Sequence, residues 1–87
     1  MIKTTIALPA DQPLTRRGAA QLAQLTSRFD CRIMIEHDQK IVNAKSMLGL
    51  LSLSPDDQAG LQLVADGPDE QQAVDAVLAL IAGGLQR

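Results

Sequence analysis

Two strands and the turn between them are encoded by residues 30–43, which read Asp30-Cys31-Arg32-Ile33-Met34-Ile35-Glu36-His37-Asp38-Gln39-Lys40-Ile41-Val42-Asn43. In the first half, Cys31, Ile33 and Ile35 recur at every second position, so they point to one side of a strand and the intervening residues to the other. Residues 37–40 are polar and have the length of a hairpin turn, and a β-branched pair follows. The stretch therefore predicts an antiparallel hairpin, with His37 as a solvated residue of its turn.

The flanking segments predict two more strands and three helices. Period-two and helical patterns place strands at residues 2–8 and 61–66, a helix at about 15–28, a short helix at 47–51 and a last helix that begins at Asp69 and Glu70 and ends at Gly83-Gly84. Asp69 and Glu70 are interpreted as helix-start charges, not as a catalytic pair. The order β-α-β-β-α-β-α predicts one α+β domain, residues 1–87, with helices on one face of a four-stranded antiparallel sheet.

Composition excludes several classes of chemistry. Cys31 and His37 are the only residues of their kinds, which excludes disulfide frameworks, thiolate zinc sites and catalytic triads. We expect no metal, no cofactor and no enzymatic activity, with Cys31 as a small buried hydrophobe. Phe29 is the sole aromatic residue, so base-stacking platforms are missing and no direct nucleic-acid binding is expected. No apolar run has the length of a membrane span or a signal core, which predicts a cytoplasmic protein.

Two motifs resemble the HPr family, the small phosphocarrier of the bacterial phosphoenolpyruvate-dependent sugar phosphotransferase system, and the resemblance covers essentially the whole chain. The stronger motif, Val42-Asn43-Ala44-Lys45-Ser46-Met47-Leu48-Gly49-Leu50-Leu51-Ser52-Leu53, is similar to the family's regulatory serine and short second helix. The weaker one, Leu14-Thr15-Arg16-Arg17-Gly18-Ala19-Ala20, aligns with a phosphorylation loop that usually reads Gly-Leu-His-Ala-Arg-Pro-Ala. The resemblance implies an HPr-like open-faced sandwich.

Thr15 stands where the family carries the histidine that receives phosphate from enzyme I. Neutral imidazole is a nucleophile that gives a transferable phosphoramidate, whereas a hydroxyl needs an activating base and gives a stable ester. We therefore expect the carrier reaction to be lost and the encounter with enzyme I to be doubtful. Loss of the histidine with retention of the serine resembles the Crh-type branch of the family.

Ser46 is, by this resemblance, the target of the ATP-dependent HPr kinase/phosphorylase. Its phosphate would dock the protein onto a catabolite control transcription factor or a metabolic enzyme. The alternative interpretation is a plain helix N-cap, whose loss costs about 1 kcal/mol.

Two further groups are candidate contact residues. Ala20, Met47, Leu48 and Leu51 are candidates for partner binding, with burial in the core as the alternative. Thr15, Arg16 and Arg17 form a candidate anion site at the start of the first helix. The alternative there is two solvated arginines behind a capping threonine.

Two other functions remain open at this point. One is a carrier that still takes part in a phosphotransferase relay. The other is an interaction module that binds its partner without phosphate.

Overall fold

The computed structural model describes residues 1–6, 16–37, 40–52 and 61–84. Its elements run in the order β1 (Ile2–Ile6), α1 (Arg16–Thr26), β2 (Arg32–His37), β3 (Lys40–Asn43), α2 (Met47–Leu51), β4 (Leu61–Asp66) and α3 (Glu70–Gly84). The predicted element order and α+β class are confirmed. Thr15 and the tip of the hairpin, residues 38–39, lie outside the described residues.

The four strands form one antiparallel sheet in the order β1-β4-β2-β3. Ile35 illustrates the register of the inner strand β2, because it pairs with Val42 of β3 on one side and with Leu63 of β4 on the other. Alternation along β2 and β4 turns one set of side chains toward the helices, where they form the core. The largest fully buried side chains are Leu22, Ile33, Ile35, Leu50, Leu61, Leu63, Val77, Thr26 and Cys31.

Three predicted boundaries are wrong. Helix α1 ends at Thr26, two residues early, because the amides of Arg28 and Phe29 bond back only three residues and so tighten the chain into turns. Helix α3 extends through Gly83, because glycine disfavours a helical conformation but does not forbid it. His37 is the last residue of β2, half-buried and paired with Lys40, and not part of the turn.

Gly67 allows the end of β4 to pass directly against the start of β2. Its φ is +153°, and a Cβ there would lie 2.6 Å from both Cα and Cβ of Cys31. Neither atom is at the end of a flexible side chain, so the close approach requires glycine at this position.

We predict that Gly67→Ala lowers the free energy of unfolding by about 2 kcal/mol, since it adds both backbone strain and a steric clash. Gly83→Ala is the matched control. A Cβ at Gly83 meets nothing within 4 Å, and alanine in a helix should stabilise by about 0.5–1 kcal/mol. Urea unfolding followed by circular dichroism measures both, because the chain has no Trp or Tyr to report by fluorescence. Equal effects of the two variants would contradict the prediction.

Candidate functional site

Ser46 is the N-cap of α2. Its backbone is extended, with φ −106° and ψ 116°, and its Oγ accepts a hydrogen bond from the Gly49 amide at 3.2 Å. Its carbonyl accepts the first helical bond, from the Leu50 amide at 3.0 Å. The capping interpretation of Ser46 is confirmed, and the side chain is half-buried, so part of it still reaches solvent.

Three hydrogen bonds hold the chain that leads to Ser46. The Asn43 side chain accepts from the Lys45 amide at 2.9 Å, and the Asn43 carbonyl accepts from the Ser46 amide at 3.0 Å. The Ala44 amide donates to the Ile33 carbonyl at 3.0 Å. These bonds satisfy the polar backbone of the loop and fix the point from which α2 starts.

Helix α1 contributes to the same loop through Thr26. Its hydroxyl oxygen is fully buried and lies 2.8 Å from the carbonyl oxygens of both Leu22 and Ala44. A second link comes from Lys45, whose ammonium donates to the Phe29 carbonyl at 2.6 Å. The end of α1 and the start of α2 are therefore joined through side-chain hydrogen bonds.

The candidate docking residues divide into exposed and packed side chains. Leu48 is 82% exposed, a high value for a leucine, and Leu51 is 36% exposed. Met47 packs partly against the core, as the alternative interpretation expected, and Leu50 is fully buried. Ala20 is half-buried on α1, which packs directly against α2. Leu48 is thus the side chain of this group that offers the most apolar area to a partner.

The candidate anion residues are only partly described. Arg16 and Arg17 are exposed in the first turn of α1, which contains no acidic residue. Positive side chains at the positive end of a helix dipole are not stabilised by the helix itself. The role of Thr15 as a cap or as part of an anion site stays a prediction, since that residue lies outside the described part of the chain.

Asp69 has a structural role that the sequence did not reveal. Its carboxylate accepts hydrogen bonds from the amides of Asp30 at 2.8 Å and Cys31 at 2.9 Å, thirty-eight or more positions earlier. The Asp30 amide is the main reason that the pKa of Asp69 lies below its usual 3.8, and it outweighs a partial loss of solvent that acts in the opposite direction. An acid before a helix is the only sequence signal, and it does not identify the distant amides.

Cys31 is buried, as expected from its place in the alternating pattern. Burial, and then the hydrogen bond to the Asp69 carboxylate, raise the pKa of its thiol to about 11. The thiolate required for nucleophilic chemistry is therefore scarce at neutral pH.

Within the four described ranges, no group of three or more His, Cys, Asp or Glu side chains is placed to hold a metal ion. None of the helices in those ranges is long and apolar enough to cross a membrane.

Comparison with known proteins shows to which family a chain with this architecture belongs. Residues 2–83 match the family model described as the PTS HPr component phosphorylation site. The HPr-like protein Crh of Halalkalibacterium halodurans is 38% identical over 81 residues, which are 93% of this chain and 96% of that protein. The phosphocarrier protein HPr of Cupriavidus necator is 41% identical over 69 residues, 79% of this chain and 78% of that one. The chain therefore belongs to the HPr family of the phosphotransferase system.

Solved structures agree with this assignment. HPr-C-His from Thermoanaerobacter tengcongensis superposes with a TM-score of 0.83 at 38% identity, covering 95% of this chain and 93% of that one. The catabolite repression protein Crh of Bacillus subtilis, whose crystal structure reveals a domain-swapped dimer, has a TM-score of 0.74 at 32% identity, with all of both chains covered. The open-faced sandwich expected from the sequence is confirmed.

We predict that the Asp69 carboxylate stabilises the fold in a pH-dependent way. Because its pKa is lower in the folded state, its contribution is present above the unfolded pKa and is lost as pH falls through the lower, folded value. Asp69→Asn should therefore be less stable than the parent at neutral pH, and the difference should shrink as the pH falls below about 4. Urea midpoints at a series of pH values measure it.

The control for this prediction is Asp75→Asn, on the same helix. Asp75 is exposed and accepts from the exposed Gln71 side chain at 3.0 Å. Its removal takes away the same charge without breaking a bond to a distant backbone amide. A constant stability gap for Asp69→Asn at all pH values, equal to that of the control, would contradict the prediction.

Proposed function

We propose that this HPr-family protein is a regulatory binding protein of the cytoplasm, not a catalyst, and that phosphorylation of Ser46 switches its affinity for a partner. The observation that carries the proposal is the position of Ser46. It is the half-buried N-cap of a short helix whose next residues include the exposed Leu48. A modifiable hydroxyl and an apolar contact surface thus occur within three residues of each other.

A phosphate on Ser46 is compatible with the cap that the serine now forms. Ser46 Oγ already faces the Gly49 amide, and phosphate oxygens are stronger acceptors for such a donor than a hydroxyl oxygen. The modification adds about −1.5 to −2 charges at the positive end of the helix, where negative charge is favourable. The expected effect is a change of surface charge on an intact fold.

Loss of the carrier reaction is part of the same proposal. By the resemblance of residues 14–20 to the family's phosphorylation loop, Thr15 stands where the phosphate-accepting histidine is expected, and threonine lacks the nucleophilic nitrogen. The only histidine, His37, ends β2 and pairs with Lys40 in the hairpin, so it belongs to the sheet and not to the start of α1. This protein then cannot pass on phosphate in the way of a carrier.

The partners that fit this arrangement follow from the family. HPr kinase/phosphorylase would modify Ser46, and a catabolite control transcription factor or a metabolic enzyme would bind the modified protein. The phosphate would pair with basic groups of that partner while Leu48 fills an apolar pocket beside them. Enzyme I is not expected to phosphorylate the chain.

We expect HPr kinase with ATP to add one phosphate to Ser46, and enzyme I with phosphoenolpyruvate to add none. Intact-mass measurement with site mapping distinguishes the two reactions, and Ser46→Ala is the control that should remain unmodified. Ser52→Ala is a second control, which should still be modified at Ser46, because Ser52 is a different exposed serine at the other end of the same helix. Transfer of phosphate from enzyme I would overturn the proposal in favour of a relay. No modification in either mixture would leave Ser46 as a helix cap alone and refute the switch.

We expect Leu48→Glu to weaken binding of the Ser46-phosphorylated protein to the catabolite control transcription factor by about tenfold or more. Because Leu48 is 82% exposed, its replacement should not change the free energy of unfolding. Leu78→Glu is the matched control, since Leu78 is a 37% exposed leucine on α3. Calorimetric titration of both variants measures the effect, and equal affinities would show that Leu48 takes no part in docking.

A further inference from the structure

Helices α1 and α3 pack against each other and leave a groove between them that is open to solvent. Its volume is about 260 Å³. The described residues that line it are Gln21, Gln24, Leu25 and Arg28 on the α1 side and Ala76 and Leu80 on the α3 side. We call this surface the α1–α3 groove.

Helical spacing explains which side chains line the groove. Gln21, Gln24 and Leu25 are three and four positions apart, so they share one face of α1. Arg28 follows the helix in a tighter turn, in which its amide donates to the Leu25 carbonyl at 3.2 Å. This turn keeps Arg28 on the same side of the chain, at one end of the groove.

The floor of the groove is apolar. Leu25 and Leu80 are partly buried and pack against the core, and Ala76 between the helices is half-buried. Helix α3 contributes no charge here, because its sequence contains no charged residue from Ala76 to Gly84. The floor therefore suits a hydrocarbon chain.

Arg28 gives the groove its charge. Among the described lining residues it is the one charged side chain, it is exposed, and it forms no ion pair within the described part of the chain. Asp75 is next to the groove on α3, but it is exposed and accepts from the Gln71 side chain at 3.0 Å. A guanidinium holds a carboxylate through two parallel hydrogen bonds. The charge of the groove therefore favours an anion.

The negative end of the α1 dipole lies near Arg28 and would oppose an anion there. The carbonyls of Ala23, Leu25 and Thr26 accept hydrogen bonds from the amides of residues 27–29, so their partial charges are already compensated. The exposed Gln24 side chain provides a further amide donor on the same stripe.

We propose that the α1–α3 groove binds a free alkyl monocarboxylate, with its chain on the apolar floor and its carboxylate on Arg28. Arg28 disfavours a cation, and a purely polar anion leaves the floor uncovered. Since a water-sized group takes about 30 Å³ of liquid volume, the groove has room for about nine such groups, which is close to the size of octanoate.

This site is separate from the phosphorylation switch. Ser46 and Leu48 cap and form α2, and no residue of α2 is among the described residues that line the groove. The proposal therefore adds a ligand site to the regulatory protein and does not depend on modification of Ser46.

The test is a titration of ¹⁵N-labelled protein with sodium octanoate, followed by NMR. The amides of Gln24, Leu25, Arg28, Ala76 and Leu80 should shift and saturate. Because one side of the groove is open, the dissociation constant should be in the millimolar range, so the titration extends to about 20 mM. Octylammonium has the same chain with the opposite charge, and acetate has the carboxylate without the chain. Each should bind at least about tenfold more weakly than octanoate.

Variants of Arg28 test the role of the guanidinium. Arg28→Gln should weaken octanoate binding by about fivefold or more, and Arg28→Glu should in addition make octylammonium the preferred ligand. Arg32→Gln removes an exposed arginine from β2 and should leave octanoate binding unchanged. Circular dichroism checks that each variant is folded.

Four outcomes would overturn the proposal. They are no saturation by octanoate, shifts that map outside the groove, an Arg28→Gln variant that binds as the parent does, and equal binding of octanoate and octylammonium. The last result would indicate a surface for an apolar side chain of another protein and not a carboxylate site. None of these results bears on phosphorylation of Ser46, so the two proposals fail separately.

Discussion

The buried hydroxyl of Thr26 is the contact that joins helix α1 to the loop that leads into helix α2. It is a fully buried polar side chain in the described part of the chain, and a buried hydroxyl without a partner costs about 1–3 kcal/mol. Its one proton can go to the Leu22 carbonyl, within α1, or to the Ala44 carbonyl, in the loop that leads to α2. Both acceptors lie 2.8 Å away, so this one hydroxyl links the end of α1 to the loop that leads to α2.

Helix α2 depends on that docking because it cannot form alone. It has five residues, far fewer than the roughly 12–15 that an isolated helix needs in water. Its start is fixed by Ala44, bonded to the sheet through Ile33, and by Lys45, bonded to Phe29 after α1. A negative charge introduced at Ser46 therefore meets a helix end that is already held by the sheet and by α1. The physical consequence is a change in electrostatic surface, not a refolding of the segment.

Much of this fold follows from local sequence patterns, and the exceptions have a common cause. Alternation at Ile33 and Ile35 predicts β2 and its buried face, and Ser46 before an apolar run predicts the cap of α2. The contacts that sequence reasoning missed are between residues distant in the chain. Asp69 reaches back to the amide of Asp30, and Gly67 passes against Cys31. Neither partner is identified by periodicity or by capping preference. The ends of α1 and α3 differ from the predicted ends for a related reason, since packing and hydrogen bonding outweigh intrinsic propensity at helix ends.

The two faces of the sheet are coupled through the register of β2. A shift by one residue would exchange its faces, which would send Arg32 and Glu36 into the core and expose Ile33 and Ile35. The burial of those two isoleucines therefore stabilises the core and at the same time places Arg32 and Glu36 on the side of the sheet that faces away from the core. The positions of these outward side chains are therefore as well specified as those of the core residues between them.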